Sequence, residues 1–168
     1  MSQLSLSLDS SLLVRDDQGR YLPATADQIL EAARYVIDQK IPRGTPFTSP
    51  ALVKDYLRTK LASFEHEVFA ALFLDSQNRL IEYVEMFRGT IDQASVYPRE
   101  VAKTALQHNA AAVIFAHNHP SGNSEPSQAD KLLTQRLKET LALVDVRVLD
   151  HIVVGGEATT SFVEHGLL

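Results

Sequence analysis

A chain of 168 residues, 45% hydrophobic and 22% charged, is long enough to bury its own core and has ordinary globular composition. A net charge of -5 removes any chain-wide electrostatic case for binding nucleic acid and leaves only room for a local basic patch. The absence of cysteine excludes disulfides and suits a reducing compartment; with no signal sequence and no apolar run of membrane-spanning length, a soluble cytoplasmic protein without membrane contact is expected.

Residues 1–24 read as a flexible N-terminal leader, a candidate partner-binding arm, with a turn signal at Asp16-Asp17-Gln18-Gly19 and at most a short strand such as Leu12-Leu13-Val14. Residues 25–168 read as one domain, in which 25–63 form a helical pair covering one side of a sheet. Thr25 or Asp27 can cap the first helix, whose stripe is Ile29, Leu30, Ala33, Val36 and Ile37. Pro42 to Pro46 breaks it. Ser49 caps the second, Pro50 opens it, and Leu52, Val53, Tyr56, Leu57 and Leu61 form its buried face. Asp55-Tyr56-Leu57-Arg58-Thr59-Lys60 is less basic than a DNA-recognition helix, so a covering role is preferred over a DNA-binding module.

After Glu65-His66-Glu67, the run Val68 to Leu74 is apolar throughout and reads as a central strand buried on both faces. Asp75 to Arg79 turns the chain, and Leu80 to Phe87 returns as its hairpin partner. Pro98 opens a helix to about Asn109 with Val101, Ala105 and Leu106 on one face; Glu100 is explained by helix-start chemistry. Ala110 to Ala116 is short and apolar enough for a buried strand, with His117 and His119 at its end and facing the same way. Pro120-Ser121-Gly122-Asn123 is turn chemistry. A helix then runs from about Ser127 to Leu143, burying Leu132, Leu133, Leu137 and Leu141. Val144 to Val154 alternates as a strand, and Thr159 to Val163 is a last short one. His151 inside an apolar strand is read first as a satisfied core histidine.

His117, His119 and Asp130 therefore converge from a strand end and the first turn of a helix. Two imidazoles and a carboxylate are the ligand count of a catalytic zinc site, which keeps a fourth position open; structural zinc sites are closed and rich in cysteine. Singly, each residue is as well explained by surface hydrogen bonding, and Ser127-x-x-Asp130 by helix capping. Nitrogen and oxygen donors alone would also accept iron, cobalt or manganese.

His117-x-His119-Pro120 followed by Pro126-Ser127-x-x-Asp130 resembles the JAMM motif of the MPN/JAB zinc metallopeptidases. Phe87-Arg88-Gly89-Thr90, Tyr97-Pro98-Arg99-Glu100, His117-Asn118-His119-Pro120-Ser121-Gly122 and Leu149-Asp150-His151-Ile152 resemble one branch of it, the bacterial RadC proteins, from about Glu67 to the C-terminus. The resemblance implies an α/β (α+β) domain, a mixed β-sheet flanked by helices in the JAMM/MPN, cytidine deaminase-like fold. The mixture of hairpin and crossover connections implies the same kind of sheet. The resemblance also implies one Zn2+ on His117, His119 and Asp130, with Glu67 as general base and Ser127 as oxyanion donor. Spacing alone does not separate Glu67 from Glu65 or Glu100, and Ser127 keeps its capping alternative. Asp150-His151 is a candidate support for the site.

The expected function is zinc-dependent hydrolysis of a peptide or isopeptide bond in a protein or peptide substrate. Two alternatives stand beside it: a DNA repair or recombination accessory, which the family name implies, and a non-catalytic metal-binding scaffold. The first is weakened by the acidic charge and by the absence of the helix-hairpin-helix region that longer RadC proteins carry. The scaffold is weakened by the presence of every ligand. Whether the chain forms a homodimer is left open.

Overall fold

The structure, a computed structural model, describes residues 12–47, 49–89 and 96–168. Residues 1–11 of the expected leader, and Thr90 of the Phe87-Arg88-Gly89-Thr90 motif, lie outside the described residues. The chain divides into two compact units, Met1–Gln39 and Lys40–Leu168.

In the first unit, where a leader with at most one short strand was expected, β1 (Leu13–Arg15) and β2 (Tyr21–Pro23) pair antiparallel ahead of α1 (Ala26–Lys40). The Asp16 carboxylate closes this hairpin, accepting from the backbone N–H of Gln18 at 3.0 Å and of Arg20 at 2.8 Å and from Arg20 Nε at 2.8 Å. Thr25 caps α1: its hydroxyl accepts from Gln28 N–H at 3.2 Å while Gln28 Oε1 accepts from Thr25 N–H at 2.9 Å. α1 has no buried residue, and Val36 is 50% exposed. Periodicity reports that a helix has an apolar face and not that a surface awaits it.

The second unit holds a five-stranded mixed sheet in the order β4-β3-β5-β6-β7: β3 (Val68–Leu74), β4 (Leu80–Arg88), β5 (Ala112–Asn118), β6 (Arg147–Gly155) and β7 (Ala158–Ser161). Only β5 and β6 run parallel; the other neighbours are antiparallel. The β3–β4 hairpin repeats the turn of the first unit, with Asp75 accepting from Gln77 N–H, Arg79 N–H and Arg79 Nε at 2.7 to 2.9 Å. Gly19 and Asn78 occupy the left-handed position in the two turns, a conformation open to glycine and tolerated by asparagine. The shared spacing Asp-x-Gln-Gly/Asn-Arg thus encodes one local structure twice.

The central strands β3 and β5 are buried along their whole lengths, as runs of Val, Phe, Leu, Ile and Ala require when helices lie on both faces. On one face Phe69, Ala71, Phe73, Val113 and Phe115 pack with Val101 and Ala105 of α3 (Pro98–Gln107) and Leu137 and Leu141 of α4 (Gln128–Ala142). The neighbouring residues of each strand point the other way, where α2 (Pro50–Leu61) packs on β5, β6 and β7 and buries Val53, Tyr56, Leu57 and Leu61. Ser49 caps α2 through Leu52 N–H at 3.3 Å and Pro50 opens it, as expected. Lys60, on the same buried face, lies 4.5 Å over the Tyr83 ring, so its stem packs while its charge meets an aromatic face. Two leucines expected in the core are not there. Leu132 is 65% exposed and Leu106 57%, because the buried stripe of α4 runs through Thr134, Leu137 and Leu141 and that of α3 through Val101 and Ala105. Among the described residues, no helix is long and apolar enough to cross a membrane.

Candidate metal centre

The parallel step β5–α4–β6 positions the site at the carboxyl end of β5 and the N-terminus of α4, where open α/β sheets commonly bind ligands. His117 is still within β5 and almost fully buried; His119, two residues on, falls on the same side of the chain. Asp130 arrives from the first turn of α4, where the exposed N–H groups of the helix favour a carboxylate. His117, His119 and Asp130 each offer a donor atom within 4.8 Å of the others. His117 Nε2 lies 2.9 Å from His119 Nε2, 3.4 Å from Asp130 Oδ1, and His119 Nε2 lies 3.5 Å from Asp130 Oδ2. Tetrahedral zinc with bonds of about 2.0–2.1 Å sets neighbouring donors about 3.3 Å apart, close to these separations.

The loop between the ligands is clamped. The backbone N–H of His119 donates to Val154 O at 2.8 Å, and Gly122, at φ +82, turns the chain back with its N–H on His119 O at 3.0 Å. Gly155, at the end of β6, lies so close to this loop that an added Cβ would sit 2.4 Å from Ser124 N and 2.5 Å from Asn123 C, both backbone atoms. The clamp also chooses the tautomer of His119. Its Nδ1 is 2.7 Å from Asn123 O, and a carbonyl oxygen can only accept, so Nδ1 carries the proton and Nε2 presents a lone pair to the site. Two nitrogen donors 2.9 Å apart beside a carboxylate form a setting that a cation satisfies.

The charges follow. Burial pushes the Asp130 carboxyl up, yet the neighbouring His117 and His119 rings and the Ser127 hydrogen bond outweigh it and hold the group far below the usual carboxylate range. His119 is raised first by the Asp130 carboxylate beside it, which favours the protonated ring, against the opposing effect of burial; the Asn123 carbonyl and the Glu67 charge add to the rise. His151 is driven well below its ordinary value by burial first and by the neighbouring His117 second.

Residues 47–167 match the RadC-like JAB domain. The chain belongs to this family. It is 61% identical over 141 residues to a UPF0758 protein of Vibrio cholerae, covering 84% of this chain and 89% of that protein. It is 57% identical over 145 residues to one from Marinobacter nauticus and 61% over 140 residues to one from Leptothrix cholodnii, covering 86% and 83% of this chain. The match spans 65% and 63% of those two longer relatives.

In this RadC-like JAB domain, Glu67 immediately precedes β3, half-buried, and is the acidic residue outside the ligand set whose charge reaches His119. Glu65 is exposed, and Glu100 lies in the first turn of α3 beside Arg99 and Lys103. Asn118, which sequence reading left without a role, bonds the segment that carries Glu67. Asn118 Oδ1 accepts from Val68 N–H at 2.7 Å, and its Nδ2 donates to His66 O at 3.0 Å and Phe64 O at 3.3 Å. The backbone on both sides of Glu67 is thus bonded to the residue between the two histidines. An asparagine continuing a buried strand was the available signal, since a buried amide needs partners.

Ser127 forms the capping alternative in full. Its hydroxyl donates to Asp130 Oδ2 at 2.6 Å and accepts from Asp130 N–H at 3.1 Å, while Ser127 N–H donates to the same Oδ2 at 2.7 Å. The pair Asp150-His151 divides its roles. Asp150 accepts from Ser161 Oγ at 2.6 Å and Val163 N–H at 3.1 Å, joining β6 to the segment after β7, whereas His151 Nε2 lies 2.8 Å from His117 Nδ1. Thr134, one helical turn beyond Asp130, was also missed; a polar residue on the buried stripe of α4 is its signal.

Proposed function

We propose that this domain is a zinc-dependent hydrolase of amide bonds, peptide or isopeptide, acting on a protein or peptide. The observation that carries the reading is the convergence of His117, His119 and Asp130, with His119 turned so that its free nitrogen faces the other two donors. Zinc bound there would supply a Lewis acid and lower the pKa of water it binds to near ~7. Glu67, close enough to the ligands for its charge to raise His119, would accept the proton of the attacking water on its carboxylate and return it to the leaving nitrogen. Asn118 would hold that carboxylate in place by fixing the backbone at Phe64, His66 and Val68. Ser127 would serve a developing oxyanion by turning its hydroxyl from Asp130 Oδ2; its backbone N–H would keep the carboxylate oriented meanwhile.

The test is metal content, by mass spectrometry, of protein purified without added metal, for the native sequence, Asp130→Ala and Glu67→Gln. Near one zinc per chain in the native protein and Glu67→Gln, lost in Asp130→Ala, is the expected pattern. Hydrolysis of an amide substrate by the native chain and not by Glu67→Gln would then complete the assignment. No metal, and no uptake after dialysis against zinc, would refute the hydrolase reading.

A further inference from the structure

Beyond the ligands, a chain of hydrogen bonds runs from the backbone of Asp130 to the ring of His117. Thr134 Oγ1 is 2.6 Å from Asp130 O and 2.6 Å from His151 Nδ1, and His151 Nε2 is 2.8 Å from His117 Nδ1. Its direction can be read from its first link. Two oxygens at 2.6 Å would repel through their lone pairs unless a proton lay between them, and a carbonyl has none to give. The single proton of the Thr134 hydroxyl is therefore on Asp130 O. Towards His151 the hydroxyl can only accept, so His151 carries its proton on Nδ1. His151 is fully buried, against Phe69, Phe115 and a Phe162 ring stacked at 4.7 Å, surroundings that favour a neutral imidazole with one N–H. Its Nε2 is then an acceptor, and the proton between the two histidines belongs to His117 Nδ1. The remaining nitrogen of His117, Nε2, is left bare and faces His119 and Asp130.

We infer that Thr134 and His151 form a one-way hydrogen-bond relay that sets the tautomer of His117, aiming the lone pair of Nε2 into the metal centre. The two histidines reach the same state by different routes. His119 is fixed by one loop carbonyl, and His117 by two buried side chains that refer back to the helix carrying the third ligand. Thr134 and His151 are positioning residues: neither faces the open side of the site, and both act through His117. Their effect on metal affinity rests on the zinc reading above, whereas the tautomer of His151 does not.

The test is nitrogen-15 NMR of the histidine rings in the full chain, metal-free and zinc-loaded, together with zinc affinity by chelator competition for the native protein, Thr134→Val and Thr134→Ser. The native protein should show His151 protonated at Nδ1 and bare at Nε2 in both states. Thr134→Val keeps the side-chain shape without the hydroxyl; it should release that assignment and weaken zinc binding on the order of 10-fold or more, as loss of outer partners of metal-bound histidines does. Thr134→Ser should restore both to near native, which a purely packing role for Thr134 would not produce. A proton on Nε2 of native His151, or a Thr134→Val protein with unchanged tautomer and affinity, would overturn the inference. If the native chain took up no zinc, the hydrolase reading would fall while the native His151 spectrum alone still decided the relay.

Discussion

The candidate metal ligands and Glu67 meet at the same corner of the sheet, and they are held there by different means. His117, His119 and Asp130 come from one continuous stretch whose loop is pinned at several points: His119 N–H on Val154 O, His119 Nδ1 on Asn123 O, and Gly155 packed against the loop backbone. Glu67 comes from a separate part of the chain, and the segment around it is tied by the three bonds of Asn118 and by the bond of Gly89 N–H to Glu67 O at 2.8 Å. The several pins of the first side mean that the loss of one polar contact should weaken metal binding rather than abolish it. On the second side one buried amide bonds the backbone before and after Glu67, so a change there should separate metal binding from hydrolysis.

The largest loss of zinc affinity is expected from breaking the clamp at Gly155. Gly155→Ala places a Cβ against backbone that has no rotamer to give way, so the loop must move. A loss of roughly 1–3 kcal/mol of stability, seen in chemical denaturation, should accompany weaker zinc binding. Unchanged affinity would show that the loop holds the ligands without the clamp. On the other side, Asn118→Ala strips partners from Val68 N–H and from two carbonyls, and each buried group left unpaired costs about 1–3 kcal/mol. The folded fraction should retain zinc and lose hydrolysis. Loss of zinc at the same time, in protein that still melts cooperatively, would mean that the two sides are not independent.

The pH dependence of the metal-free protein sharpens the comparison further. His119 is raised, so its contribution is fully present below its ordinary pKa and is lost as pH climbs through the folded value. His151 is lowered, so below about 6.5 the unfolded imidazole takes a proton that the buried one refuses, and stability declines as pH falls. Asp130, also lowered, adds a further decline below about 4, where its unfolded carboxyl protonates first. The melting temperature should therefore peak near neutrality and fall on both sides, and replacing His151 with Gln should flatten the acid side between pH 5 and 6.5. A native melting curve that does not change between pH 5 and 8 would contradict both shifts. The smallest effect is expected at Ser127. Ser127→Ala removes a helix cap and should cost about 1 kcal/mol in denaturation, with a modest loss of zinc affinity because Asp130 Oδ2 keeps its bond from the Ser127 backbone N–H.

Much of this site can be read locally. The Pro-Ser-Gly turn, the capping spacing Ser127-x-x-Asp130 and the strand alternation of His117 and His119 each act over a few residues, and together they bring the ligand set into one place. The hairpins are equally local, with Asp16 and Asp75 each closing its own turn through the arginine four residues on. The places where sequence reading fails share one cause. Leu106 lies one position past the buried stripe of α3 and Leu132 two positions before that of α4, because helical periodicity does not determine which neighbour an apolar face meets.

The amino-acid sequence alone determined the mixed sheet with its flanking helices, the three candidate ligands and the caps that start α2 and α4, since these follow from side-chain alternation, turn chemistry and capping within one element or its flanks. Tertiary structure decided what those residues do to one another. The bond from His117 to His151, the approach of Gly155 to the loop and the bonding of Asn118 around Glu67 link positions far apart in the chain, across strands and from sheet to loop. Which nitrogen of a histidine carries its proton depends on the partner of the other nitrogen, and for His117 that partner is supplied only when the sheet and α4 close around it.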